Sequence, residues 1–311
     1  MVSSTPLNQN FSTTRLITTE KPEILSKPED KLETLLFLSE GQDRKGEGGL
    51  RTKGYFKTSH LDKPLISIIT VVFNGEKYLE ETIQSVINQT YDNIEYIIID
   101  GGSTDNTLEI IKKYEDKIDY WVSEKDYGIS DAFNKGIIVS TGARILFLNA
   151  GDSFYSEKVL LETQQVFVNH SDADLIYGKI MLIDSSQNEI KVYGKPQDFN
   201  ILRRHMTLPH QAIFHNNTFF KKYGLYDINI KTSMDYDLIM KNFHNIKFYF
   251  LDRIISNMLS NGISQTDIIR LYREHLNIQL KYHLNHNIVS YYYFGLNIIS
   301  FHIKKIIKRF L

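Results

Sequence analysis

The sequence predicts an α/β protein: a doubly wound mixed sheet flanked by helices, with a helical C-terminal extension. Three observations carry this expectation. Between residues 65 and 149, β-branched apolar runs alternate with segments of helical spacing, the mark of strand–helix–strand units. The runs 65–73 and 93–100 are apolar almost throughout rather than alternating, as in strands covered on both faces. From about residue 264 the pattern is helical to the end, with a break near Asn285–Asn287.

The elements follow in order. Residues 1 to about 60 are polar, and only "EDKLETLLFLSE" (29–40) reads as a helix. The Gly-rich "GQDRKGEGGLRTKG" after it reads as a loop or linker. "LISIITVVF" (65–73) is a strand, and 75–90 is a helix with Leu79, Ile83, Val86 and Ile87 on one face. "NIEYIIID" (93–100) is the second strand, and a helix over 103–117 follows, with Ser103 or Thr104 as its N-cap. "IDYWVS" (118–123), a helix over 128–142 ending near Gly142, and "ARILFLN" (143–149) complete the regular part. A helix over about 156–169 comes next, then strand-like stretches near 174–183, 188–193 and 210–215. A helix over 233–243 and a strand over 246–251 precede the tail. These elements divide the chain into an N-terminal extension (1–62), a central domain (63–260) and a helical segment (261–311).

Composition narrows the function. Net charge is −1, so the chain as a whole is not built to bind nucleic acid. Thr266–Leu311 nevertheless holds seven Lys/Arg against two Asp/Glu, which suggests that this end meets an acidic surface. With no cysteine there is no disulfide, thiolate metal site or cysteine nucleophile, which fits a reducing compartment. The N-terminus has no apolar signal-peptide core, and no apolar run is long enough to span a membrane.

Ligands of open α/β sheets sit outside the carboxyl ends of the strands. Here those ends read Phe73-Asn74-Gly75, Asp100-Gly101-Gly102-Ser103, Ser123-Glu124 with Asp126 beyond, and Asn149-Ala150-Gly151-Asp152. Gathered carboxylates repel one another, so a structural protein has no use for them there. A nucleotide with a divalent cation explains them. The first turn, "FNGEKY", has neither the dinucleotide fingerprint nor the P-loop signature. Asp131, Asn134 and Lys135 share a helix face.

The stretch "ISIITVVFNGEKYLEETIQSVINQTYDNIEYIIIDGGSTDNTLEII" resembles the opening of a family 2 glycosyltransferase with the GT-A fold. "SEKDYGISDAFNKGI", "ILFLNAGD", "HQAIF" and "GLYDINIKTSMDYDLIMK" continue the resemblance in order, over roughly residues 64–245. The resemblance implies the following roles. Asn149-Ala150-Gly151-Asp152 takes the place of the family's metal motif, with Asp152 as the Mn²⁺ or Mg²⁺ ligand, while Asn149 and Gly151 replace two acids. Asp100 matches the first acid of the nucleotide-holding stretch, and Gly101 replaces the second. Val71, Phe73, Asn74, Asp126, Asp131, Asn134, Lys135 and Gly151 line the donor pocket, with Lys135 offsetting phosphate charge. Asp235 matches the catalytic base, with Asp237 as its competitor, and His210 and Gln211 reach the diphosphate or acceptor.

The implied reaction is inverting, metal-dependent transfer of a sugar from a nucleotide-sugar, a UDP-sugar favoured, to a glycan or lipid-linked hydroxyl, in cell-surface polysaccharide synthesis. Two alternatives stand beside it: a degenerate member that binds nucleotide or glycan without turnover, and a sugar-1-phosphate nucleotidyltransferase. In the tail, Ile299, Ile303, Ile306 and Phe310 share one helical face, and Lys304, Lys305, Lys308 and Arg309 supply charge. That pattern predicts a helix lying on an anionic membrane, which would place the protein in the cytoplasm, peripheral to the inner face of the plasma membrane. A helix packed on protein has the same pattern.

Overall fold

The computed structural model describes residues 9–41, 43–260 and 267–310, with side chains up to Ile303. Its spine is a mixed sheet. Strands β2 (Ile66–Val72), β3 (Ile94–Asp100), β4 (Tyr120–Ser123) and β5 (Arg144–Phe147) are parallel, in the order β4-β3-β2-β5. Helices α1 (Leu79–Ile87), α2 (Thr107–Lys113) and α3 (Ile129–Ile138) make the crossovers. Beyond β5 the sheet turns antiparallel through β9 (Ile213–Asn216) to β7 (Leu175–Ile183), then runs parallel to β10 (Phe248–Leu259). Two-residue β6 (Ser153–Phe154) closes on β10, and β8 (Glu189–Tyr193) pairs with β7.

The continuous apolar runs are explained by two cores. Side chains alternate across a strand. Ile69, Val71, Ile97 and Ile99 pack with Phe133 and Ile137 of α3 on one face. Ile66, Ile68, Ile94 and Ile98 pack with Leu79, Ile83 and Val86 of α1 and Ile111 of α2 on the other.

Several expectations need correction. Residues 29–40 are not a helix: Leu35 N donates to Ile138 O (2.8 Å) and Leu38 N to Tyr120 Oη (3.1 Å), so their backbone groups go to distant partners. The Gly-rich stretch contains strand β1 (Gly46–Gly48), paired antiparallel with β4 at the sheet edge. Gly49, at φ +104°, lies so close to the Ile118 and Asp119 carbonyls that a Cβ would stand 2.8 Å from each. Arg51 is fully buried, ion-paired with Glu95 and donating to Val139 O (2.7 Å). The extension is thus built into the sheet up to Lys57, whose ammonium donates to Ile94 O.

Helix α2 starts at Thr107 rather than 103 because Ser103 is taken by Asp100, and Asp105 accepts from Thr107 N (3.0 Å). Helix α4 (Val159–Asn169) is where it was expected. The short α5 (Phe199–Leu202) and α6 (Asn217–Tyr223) were not expected; each begins on a side-chain cap, Asp198 and Asn216. Residues 210–212 are a 3₁₀ turn, and the strand begins at Ile213. Helices α7 (Met234–Asn242), α8 (Ile268–Lys281) and α9 (Asn287–Phe310) complete the chain.

Candidate active site

Strand order reverses between β2 and β5, and the crevice at that switch lies outside their carboxyl ends. On the β5 side, Asn149–Asp152 folds into a closed turn. Asp152 N donates to Asn149 O (2.9 Å), and Asn149 N donates back to Asp152 Oδ2 (3.2 Å). Thr82 of α1 pins the turn, donating to Asp152 O (2.7 Å) and accepting from Gly151 N (3.0 Å). Gly151 sits at φ +101°, where a side-chain-bearing residue would be strained, which accounts for glycine at this motif position.

The Asp152 side chain is 6% exposed, and burial pushes its carboxyl up to about 7, against hydrogen bonds from Asn149 N and the Gln211 side chain. In the same turn, Asn149 Oδ1 is buried and has no hydrogen-bond partner among the described residues. A carboxylate and an orphaned amide oxygen make a hard, all-oxygen donor set, the kind that suits Mg²⁺ or Mn²⁺. Among the described residues no group of three or more His, Cys, Asp or Glu stands ready for a metal, so a cation here would draw its other oxygens from ligand and water.

On the β3 side, Asp100 is fully buried and accepts from Ser103 N (3.1 Å), Ser103 Oγ and Ser123 Oγ (2.5 Å). Its oxygens therefore shape the turn. Asn74, at φ +51°, is locked to the same turn: its N donates to Ser103 Oγ (2.7 Å) and its Oδ1 accepts from Thr104 N (2.9 Å). Phe73 is exposed at the mouth, whereas the Val71 side chain lies in the core and its carbonyl accepts from Ala150 N (3.4 Å). Asp126 is half-buried and accepts from Gly128 N (2.8 Å). Burial raises its carboxyl.

The shared helix face of Asp131, Asn134 and Lys135 divides its work. Lys135 pairs with Glu124 (2.7 Å) and with Asp131 (3.7 Å). Asn134 grips the peptide of Tyr226, Nδ2 donating to Tyr226 O (2.9 Å) and Oδ1 accepting from Tyr226 N (3.0 Å).

The far side holds the two competing acids. Asp237 is 5% exposed and accepts from Lys281 Nζ and Tyr282 Oη, both at 3.0 Å, which commits it to joining α7 and α8. Asp235 makes no ion pair among the described residues; its Oδ1 accepts from Tyr236 N (2.8 Å). Burial raises its carboxyl to about 6, and the nearby Glu274 charge adds to the shift. Glu274 of α8 accepts from Lys231 N, Thr232 N and Ser233 N at 2.9–3.0 Å, bracing the start of the helix that carries Asp235. His210 stacks on Phe147 (4.8 Å, 10°) and meets Tyr226 Oη at 3.1 Å. Burial lowers its ring to about 4, so it is neutral at pH 7 and offers no charge to a phosphate.

Burial first, and then the Asp235 charge, raises the Tyr226 hydroxyl that meets His210. Sequence reasoning missed Thr82, Tyr226 and Glu274. Nothing in their local pattern marks them: Thr82 holds a turn 70 residues on, Tyr226 is gripped by Asn134 from 92 residues before, and Glu274 braces Thr232 from 42 residues on.

Comparisons with known proteins bear on the family and the fold. The model for "Glycosyl transferase family 2" matches residues 67–227. A "PGL/p-HBAD biosynthesis glycosyltransferase" of Mycobacterium bovis is 30% identical over 185 residues, covering 58% of this chain and 71% of the relative. An uncharacterized glycosyltransferase of Rickettsia typhi is 34% identical over 197 residues, covering 60% and 61%. Among solved structures, S. aureus TarS 1–349 in complex with UDP-GlcNAc superposes with a TM-score of 0.55 at 19% identity, over 75% of this chain and 71% of that one. The mannosyltransferase PcManGT from Pyrobaculum calidifontis, in complex with GDP-Man and Mn²⁺, gives 0.53 at 13% identity, over 76% and 75%. These two share the GT-A fold of this protein. The matched segment runs from β2 through the Asn149–Asp152 turn to Asp227, and on that ground the chain belongs to glycosyltransferase family 2.

Proposed function

We propose that the protein is an inverting, metal-dependent glycosyltransferase that moves a hexosyl or N-acetylhexosaminyl group from a nucleotide-sugar to a hydroxyl of a glycan or lipid-linked acceptor, in cell-surface polysaccharide synthesis. The observation that supports it is the pair of acids, Asp152 in the turn after β5 and Asp235 at the start of α7, neither in an ion pair among the described residues.

Asp235 takes the proton of the attacking hydroxyl as that oxygen bonds to the anomeric carbon. The bond to the diphosphate oxygen breaks and its electron pair leaves with the nucleoside diphosphate. Attack from the face opposite the leaving group inverts the centre. Asp152 and Asn149 Oδ1 would hold a Mg²⁺ or Mn²⁺, which when bound would supply charge stabilisation to the leaving diphosphate. The Gln211 side chain favours the ionised form of Asp152, and His210 and Tyr226 hold each other by a hydrogen bond. The assay is release of nucleoside diphosphate from a panel of nucleotide-sugars with Mn²⁺ and candidate acceptors. Turnover supports the transferase; binding without turnover of any donor supports the degenerate alternative.

We also propose a membrane surface as a partner. No helix among the described residues is long and apolar enough to cross one. Helix α9 nevertheless exposes Ile288, Tyr291, Tyr292, Ile299 and Ile303, each more than half exposed. The basic side chains Lys304, Lys305, Lys308 and Arg309 lie outside the described residues, as do those of Ile306 and Phe310. We take this helix to lie on an anionic bilayer, at the cytoplasmic face. The protein should float with vesicles containing phosphatidylglycerol, and Ile299→Glu/Ile303→Glu should remove most of the floating fraction. Equal flotation of wild type and variant would contradict this.

A further inference from the structure

Glu274 lies outside the family-matched segment, on helix α8, yet it holds the loop that leads into the helix carrying Asp235. Its Oε1 accepts from Lys231 N (3.0 Å). Its Oε2 accepts from Thr232 N and Ser233 N, both at 2.9 Å, and from Thr232 Oγ1 (2.7 Å). Three successive peptide N–H groups and one hydroxyl thus close on a single carboxylate, a nest of the kind that holds anions. Here the anion comes from another helix. Ser233, the residue before α7, gives that helix no side-chain cap, so Glu274 supplies the hold on its approach.

The rest of α8 continues the grip. Glu274, Ile278, Lys281 and Tyr282 fall at i, i+4, i+7 and i+8, on one helix face. Ile278 shares a core with Met234, Tyr236 and Leu238 of α7. Lys281 and Tyr282 hold Asp237. Helix α8 therefore holds α7 at residues 231–233 before Asp235 and at Asp237 after it.

We propose that Glu274 is a positioning residue for the transfer reaction: by fixing the start of α7 it sets the place of the Asp235 carboxylate that takes the acceptor proton. This rests on the reading of Asp235 as the base. It adds that the C-terminal helical segment serves catalysis. The charge of Glu274 acts on the same group. Burial raises the Asp235 carboxyl, and Glu274 raises it further. Burial would raise Glu274 too, but hydrogen bonds from Thr232 and its neighbours outweigh it and hold that carboxyl below its ordinary value. The other titratable groups of these elements are engaged or neutral. Lys231 Nζ donates to Tyr127 O (2.8 Å) and Ile228 O (2.9 Å), and Lys281 pairs with Asp237 (3.0 Å). Burial lowers the His275 ring to about 4 and raises the Tyr226 hydroxyl, so both are neutral at pH 7.

Two measurements test this. The first needs no donor. The Tyr236 amide donates to Asp235, so its NMR shift follows the titration of that carboxyl. The midpoint should lie at about pH 6 in wild type. It should move to lower pH in Glu274→Gln, stay in Glu274→Asp, which keeps the charge, and vanish in Asp235→Asn. The second is turnover per folded molecule, read as nucleoside diphosphate released from UDP- and GDP-sugars with Mn²⁺ and candidate acceptors. Glu274→Gln should lower kcat by roughly 10- to 100-fold, the cost of a displaced catalytic group, with UDP affinity little changed. Added to Asp235→Asn it should cost little more, because both act through one carboxylate. Glu274→Asp withdraws the carboxylate by one methylene and should also lower kcat, which keeps the test open if Glu274→Gln does not fold. If either Glu274 variant turns over like wild type, or Glu274→Gln leaves the Tyr236 midpoint unmoved, the inference is overturned and the transferase reading stands. If Asp235→Asn keeps full turnover, or wild type turns over no donor, the reading of Asp235 falls and this inference with it.

Discussion

Asp235→Asn should lower kcat by roughly 10²- to 10⁴-fold, the usual worth of a positioned general base, while the affinity for nucleoside diphosphate changes little. The amide keeps the size and the Tyr236 N–H contact of the carboxylate but cannot take a proton. Asp237→Asn should act differently. Asp237 is held by Lys281 and Tyr282, so its loss should show as lowered stability, with kcat per folded molecule largely kept. The pH profile gives a second reading. Burial raises Asp235 to about 6, and the base works only when ionised, so kcat/KM should climb through about pH 6 to a plateau above it. An Asp235→Asn enzyme with more than a tenth of wild-type turnover would remove Asp235 from this role.

Arg51→Met should cost about 3–5 kcal/mol of folding stability, because it leaves Glu95 charged, buried and without its cation. Burial alone would raise the Glu95 carboxyl, but Arg51 and the Ser67 and Thr141 donors outweigh it and hold the carboxyl below its ordinary value. A depressed carboxylate adds stability above the pH at which the unfolded chain titrates, and loses it as the pH falls through the folded value. The gap between wild type and Arg51→Met should therefore be widest near neutral pH and close in acid. Replacing both partners by apolar residues should recover much of the loss. Urea unfolding at several pH values measures all of this; a cost under about 1 kcal/mol would show that the extension is not a structural part of the domain.

That buried pair marks the limit of what could be read from the sequence. The order of strands and helices from 65 to 149 was legible because β2 and β3 carry apolar residues on both faces and α1 and α3 carry them on one. The acids at the strand ends were legible for the same reason, since parallel strands put them all on one edge. Residues 29–57 were not. Their conformation comes from hydrogen bonds to Ile138, Tyr120 and β4, partners about 70 to 100 residues on, and a Gly-Glu-Gly strand has no propensity to announce it. The local pattern also does not separate Asp235 from Asp237, and only the resemblance favours Asp235. In the structure Lys281 and Tyr282, at the C-terminal end of α8, hold Asp237.

The central claim is that the Asp152 turn holds a divalent cation against a donor diphosphate. It is tested most directly by the melting temperature of wild type and Asp152→Asn with UDP, GDP, dTDP and CDP, each with and without Mn²⁺. A ligand that binds only the folded state raises that temperature by mass action. Wild type should be stabilised by at least one nucleotide only when Mn²⁺ is present, and Asp152→Asn should lose the effect. If no nucleotide shifts wild type in either condition, or if Asp152→Asn responds as wild type does, the account of this site is wrong.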